Sequence, residues 1–134
     1  MLFFTTGQEE EKIMAKDSAA AGSPEGGPRN QVILIGRVAA EVTERELPSG
    51  DTIITARVIV DRDPGQQSKS AQRVDTIDCV AWSARPQRTM RTWRTGETVY
   101  VEGAIRRRFY RGQTGPVSRV EVEVMRARRA KRYQ

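Results

Sequence analysis

Apolar residues in this chain fall in short runs, alternating with polar positions or fully apolar, and Gly- and Pro-bearing turns separate them. That spacing predicts strands rather than a helical bundle. Residues 31–38 contain Val32-Ile33-Leu34-Ile35, β-branched at three of four positions, and predict a strand buried on both sides for part of its length. Pro48-Ser49-Gly50-Asp51 is a turn signal that folds residues 41–47 against residues 52–61 as a hairpin. Residues 63–72 are polar, carry Pro64-Gly65 and predict a long loop. In the next run, 73–82, a period of two sets Ile77, Cys79 and Ala81 on one face and Thr76, Asp78, Val80 and Trp82 on the other.

Residues 83–95 break the alternation and predict one short helix. Ser83 suits the N-cap, Pro86 falls in the first turn, Met90 and Trp93 lie three apart on one side, and Gly96 can stop the helix. Strand character returns over 98–108, with Gly103 placed for a bulge or bend. After a turn at 111–116, residues 119–125 read Arg-Val-Glu-Val-Glu-Val-Met, a half-exposed strand. The expected fold is all-β: a five-stranded OB (oligonucleotide/oligosaccharide-binding) barrel with one short α-helix between strands 3 and 4. An immunoglobulin-like sandwich would need about seven strands and leave the helix unexplained.

The 134 residues suffice for one compact domain. Residues 18–28 lack any apolar period and are rich in Gly, Pro, Ala and Ser, so 1–28 is expected to be a disordered leader. The folded domain is then 29–126 and a short basic tail 127–134, with Met14 offering an alternative start to Met1. No run approaches the ~20 apolar residues of a membrane-spanning helix, so a soluble, unsecreted, cytoplasmic protein without a membrane partner is expected. Cys79 is the only cysteine and histidine is absent, which excludes an internal disulfide and an ordinary Cys/His zinc site. No cofactor is implied, and the absence of histidine narrows the catalytic options.

Charge changes the picture further. Lys and Arg total 23 against 17 Asp and Glu, a net charge of +6. The excess is polarised: residues 1–28 hold five acids against two bases, whereas from Ile105 to Gln134 ten bases face two acids. Such a concentration points to a polyanion, with nucleic acid ahead of membrane because no long amphipathic helix accompanies it. The plainer alternative is a soluble domain of high pI.

Proteins that bind single strands combine a cationic groove with aromatic platforms on which bases stack. The strongest local signal of that kind is Arg106-Arg107-Arg108-Phe109-Tyr110-Arg111. Its alternative is that Phe109 or Tyr110 plugs the barrel end among merely solvated arginines. Trp82, on a polar strand face, divides evenly between stacking and core packing, while Trp93 reads as core. Arg57 on the hairpin and Lys69 in the long loop are candidate phosphate contacts. Arg85, Arg88, Arg91 and Arg94, spaced by three, sweep about half the helix surface and read as a solvated face before a phosphate path. Asp75/Asp78 and Glu121/Glu123 are the carboxylate pairs to test for a divalent metal, although ion-pairing with neighbouring arginines explains them better.

These motifs together resemble the bacterial single-stranded DNA-binding (SSB) protein family over residues 30–126. Asn30-Gln31-Val32-Ile33-Leu34-Ile35-Gly36-Arg37 is similar to the family's opening strand, Pro48-Ser49-Gly50 to its first hairpin turn, and Val99-Tyr100-Val101-Glu102-Gly103 to its fourth-strand signature. Cys79-Val80-Ala81-Trp82 followed by a helix resembles the actinobacterial branch. The resemblance implies stacking roles for Trp82 and Tyr110, and departs from the family where Thr76 and residues 62–72 carry no aromatic. It also implies a homo-oligomer, usually a tetramer formed through strand pairing for which Val32 to Ile35 offer an edge. The resemblance implies an acidic tail through which family members recruit repair proteins; this sequence ends in Arg-Arg-Ala-Lys-Arg-Tyr-Gln, so tail-mediated recruitment is expected to be absent and a specialised, nucleoid-associated paralogue is expected.

The expected function is therefore nonenzymatic, sequence-nonspecific binding and protection of single-stranded DNA in replication, recombination or repair. DNA contacts are expected from Trp82, Tyr110, Phe109, Arg57, Lys69, Arg106, Arg107, Arg108 and Arg111. The rivals are an RNA-binding or primosome-type OB module, a metal-dependent nuclease built on Asp75, Asp78, Glu121 or Glu123, and a pure assembly partner.

Overall fold

The computed structural model describes residues 26–66 and 71–131, so Lys69 and most of the expected leader lie outside the described residues. The elements run β1 (Val32–Val38), β2 (Thr43–Glu46), β3 (Thr52–Asp61), β4 (Val74–Ala81), α1 (Ala84–Met90), β5 (Thr98–Gly112) and β6 (Gly115–Arg129). In the sheet the order is β1-β5-β6-β4-β3-β2, and β1 also pairs with β3. That last pairing closes five strands into a barrel, with the helix between its third and fourth strands, which is the predicted OB fold. β2 stays outside the closed ring as a fully exposed extension of the hairpin with β3.

Closure depends on β1 serving two partners. Its residues Val32 to Arg37 pair with β5, and its end, Arg37 and Val38, pairs with Ile59 and Val58 of β3. Gly36 sits at the crossing, where a Cβ would run into the carbonyl of Ile59. β6 closes the other side by running parallel to β4 at Cys79↔Val122 and Val80↔Glu123. Inside lie Val38, Ile54, Ala56, Val58, Cys79, Ala81, Met90, Trp93, Val99, Val101, Val122 and Val124. Each fully buried aliphatic side chain contributes about 1.5–3 kcal/mol of transfer free energy, so the alternating pattern of four strands is what holds the ring shut.

Several elements differ from expectation. β1 is open on one face: Val32 and Leu34 turn inward, whereas Ile33 and Ile35 are 54% and 45% exposed, because no second layer among the described residues covers that face. The helix ends at Met90 rather than near Thr95. Backbone bonds Thr92 N to Thr89 O and Trp93 N to Met90 O tighten its last turn and swing Trp93 into the core. Gly96, at φ 92°, then reverses the chain into β5 instead of capping the helix. Ser83 occupies the N-cap without a side-chain bond to the helix. The tie to the barrel comes from buried Gln87, whose Nε2 donates to the carbonyls of Thr52 and Ala81. Finally, β5 and β6 each run for 15 residues, well beyond the predicted 98–108 and 119–125, and Gly112 and Gly115 flank their turn.

Burial, with Asp78 beside it, pushes the Cys79 thiol up to about 12. The thiol should therefore resist thiol-reactive dyes at pH 8 until the protein is unfolded, and rapid labelling of the folded protein would contradict this packing. An unfolded chain releases the thiol proton near the ordinary value of about 8.5, so this contribution to stability is intact below that pH and is lost as pH rises towards 12.

Candidate nucleic-acid interface

One outer face spans β3, β4, β6 and β5, and pairing registers decide which side chains share it. Residues directly opposite in a ladder point the same way, so Arg57 with Asp78, Arg106 with Glu121, Arg108 with Arg119, and Tyr110 with Val117 all face outward. Trp82 follows Asp78 and Val80 on that face. Its ring is half-buried, and the Arg108 guanidinium lies over it, 5.0 Å from the centroid. Tyr110, 44% exposed, carries Arg119 at 5.7 Å in the same way. The two rings thus stand on one face, each beside an arginine.

The carboxylates expected to ion-pair with neighbouring arginines do so. Glu123 accepts from Arg106 at 2.9 Å and from Arg108 at 3.4 Å; Glu121 accepts from Arg108 at 3.1 Å, Asp78 from Arg57 at 3.2 Å and Asp75 from Arg62 at 2.8 Å. The Arg62 hydrogen bond holds the Asp75 carboxyl below its ordinary value. Among the described residues no group of three or more metal-ligating side chains comes together.

The basic cluster of β5 is split by the pleat. Arg106, Arg108 and Tyr110 join Trp82, but Arg107 and Phe109 point to the opposite side, where Arg107 reaches the Ser118 hydroxyl at 3.3 Å and Phe109 is 74% exposed with Ile105 and Val120. Arg111, at the hairpin tip, is exposed and shares the side of Phe109. The alternative that Phe109 or Tyr110 plugs the barrel end fails for both, since the hairpin carries them beyond the ring. Arg119 lies over Tyr110 without being recognisable in the sequence, because strict alternation marks it only as an exposed position and says nothing of the ring across the ladder.

β6 also hides a change of parity. Glu102 pairs with Arg126 but Gly103 pairs with Val124, so Met125 is an extra residue, a β-bulge. Glu121 and Glu123 face outward before it, and Arg126 and Arg128, paired with Glu102 and Tyr100, face outward after it. Gly103 makes room, since a Cβ there would run into the carbonyl of Glu123.

The Single-strand binding protein family model matches residues 29–130. The chain belongs to that family. It is 29% identical over 86 residues to Single-stranded DNA-binding protein 3 of Listeria innocua, covering 64% of this chain and 53% of that protein. The Single-stranded DNA-binding protein of Bacillus cereus is 30% identical over 86 residues, covering 64% and 50%. The chain thus spans about half the length of these curated relatives. Among solved structures, the Plasmodium falciparum SSB complex with ssDNA superposes with a TM-score of 0.65 at 20% identity, covering 78% of this chain and 97% of that one. That likeness carries the OB fold, and the family match places the outer face of β4, β6 and β5 within the shared domain.

Proposed function

We propose that this chain binds single-stranded DNA without strong sequence preference and protects it during replication, recombination or repair in the cytoplasm, by binding rather than catalysis. The observation that carries this reading is the pair of rings, Trp82 and Tyr110, set on one outer face with a guanidinium beside each. A nucleobase can replace the guanidinium against the ring, and the displaced arginine remains close enough to meet the phosphate. Arg57, Arg106 and Arg108 supply that charge on the Trp82 face, while Arg107, Phe109 and Arg111 meet the strand from the other side of the hairpin. Lys69, by its place between β3 and β4, is proposed as a further contact. The family membership and the names of the relatives support the same reading.

A homo-oligomer belongs to the proposal, with a tetramer as the family resemblance implies. Over Val32 to Ile35, β1 pairs with β5 on one edge and has no strand partner on the other among the described residues, and Ile33 and Ile35 are open beside it. An unpaired apolar edge of this kind is a template for a second copy.

Titration with oligo-dT tests the function. Trp93 is 5% exposed in the core, so tryptophan quenching should report Trp82 alone. Quenching by single strands, with affinity falling as salt rises, is expected. The salt slope should be shallower than the arginine count suggests, because each carboxylate freed when Arg57, Arg106 or Arg108 turns to a phosphate takes up a cation and offsets part of the counterion release from the DNA. Equal affinity for duplex DNA throughout would refute stacking, and tighter binding of matched RNA would move the protein to the RNA-binding class.

A further inference from the structure

Phe109 and Tyr110 are consecutive in β5, so their rings point to opposite sides of the strand. Residues 106–112 and 115–121 pair only with each other among the described residues, since β1 reaches β5 no further than Gly103 and β4 meets β6 at Val122 and Glu123. The two strands thus leave the barrel as a two-sided ribbon. On the Tyr110 side, Glu121 and Glu123 neutralise Arg106 and Arg108. The reverse side carries Arg107, Phe109 and Arg111, with Val120, Ser118 and Pro116 across the ladder and no carboxylate. Neither Arg107 nor Arg111 has an ion pair among the described residues, and Phe109 is the most exposed large apolar side chain described. A flat ring therefore stands between two uncompensated guanidiniums, each about 6.7 Å from it along the strand.

Resting on the DNA-binding reading, we propose that this reverse side is a second single-strand platform, so that one chain holds two segments of unpaired DNA back to back. The ribbon backbone lies between the two rings, and a base on Tyr110 cannot also touch Phe109. Engaging both takes a second segment, from another molecule or from the same strand after it turns round the tip at Gly112 and Gly115. Charge favours a polyanion over a second copy. A chain of net charge +6 packed here would bury Arg107 and Arg111 on a side that offers them no acid, and a buried unpaired charge is strongly unfavourable. The residues assigned to contact between copies also lie elsewhere: Ile33 and Ile35 sit opposite Glu102 and Tyr100, on the Tyr110 side of β5 and before the ribbon begins.

The test counts short oligo-dT molecules bound per full-length chain, at the lower end of the ~4–16 nucleotides that an OB fold holds, with tryptophan emission followed in parallel. The wild type should take two, the first quenching Trp82 and the second leaving emission unchanged. With one ring in place of two, the second event should be weaker by roughly 5- to 150-fold, the equivalent of one stacked base. Its log–log salt slope should be about −1.4, or ~0.7 for each of two phosphates. R107Q/F109A/R111Q should lose the second event alone, and W82A/Y110A the first alone. R45Q/R94Q, which removes the same charge from exposed positions outside the ribbon, should keep both. An oligo-dT of about twice the length separates the two sources: one molecule per chain shows a strand that turns round the tip, and two show separate strands. A single short oligonucleotide per wild-type chain, retention of the second event in R107Q/F109A/R111Q, or its loss in R45Q/R94Q overturns the proposal. Failure of the wild type to bind any oligonucleotide would instead overturn the DNA-binding reading itself.

Discussion

Replacing Trp82 and Tyr110 together by Ala should weaken oligo-dT binding by roughly 30-fold or more while leaving its salt slope nearly unchanged. Each stacked base contributes ~1–3 kcal/mol, and neither substitution removes a charge. The shares should differ. A base reaching Trp82 must displace Arg108, which is held by Glu121 and Glu123 as well as by the ring, so part of the stacking gain offsets a lost cation–π contact of ~0.5–1 kcal/mol. Tyr110 is more open and its Arg119 lies farther from the ring, so less is lost there. Trp82→Phe and Tyr110→Phe keep flat rings and should retain most of the affinity. That result separates stacking from packing, because Trp82 is half-buried and its removal alone could loosen the barrel. Unchanged affinity in W82A/Y110A, with the fold intact by circular dichroism, would make both rings ordinary packing.

Much of this face was legible because strand alternation is a strong local signal. Trp82, Asp78 and Thr76 share a side in sequence and in structure, and Glu121 and Glu123 find arginines as their spacing suggested. What the chain alone does not reveal is anything set between strands. The split of Arg106 and Arg108 from Arg107 and Phe109 follows from the pleat, yet a run of six cationic and aromatic residues reads as one cluster until the β5–β6 register is known. The Met125 bulge is invisible in Val-Glu-Val-Met-Arg-Ala-Arg, since only its partner strand shows that one residue is extra. Exposure of Ile33 and Ile35 has the same origin: an apolar run states that burial is wanted, and not which surface provides it.

Gly103→Ala should be the most damaging single methyl in the protein, with Gly36→Ala close behind. In both cases the added Cβ meets a backbone carbonyl of a paired strand, Glu123 and Ile59 respectively, and no rotamer change can relieve it. Overpacking that only side chains must absorb costs about 1–3 kcal/mol; here the ladder itself must part, so a loss of at least ~3 kcal/mol is expected against a total of ~5–15. For a domain of this size that lowers Tm by more than ~10 °C. Gly65→Ala is the matched control, because its Cβ would meet only the Asp63 carboxylate at 3.6 Å, and its Tm should stay within a few degrees. Gly103 has a second consequence that Gly36 lacks. It accommodates the bulge that sets the parity of β6, so any G103A protein that still folds by re-registering the strands would turn Arg126 and Arg128 inward. A G103A protein with wild-type Tm would show that this close approach does not constrain the barrel.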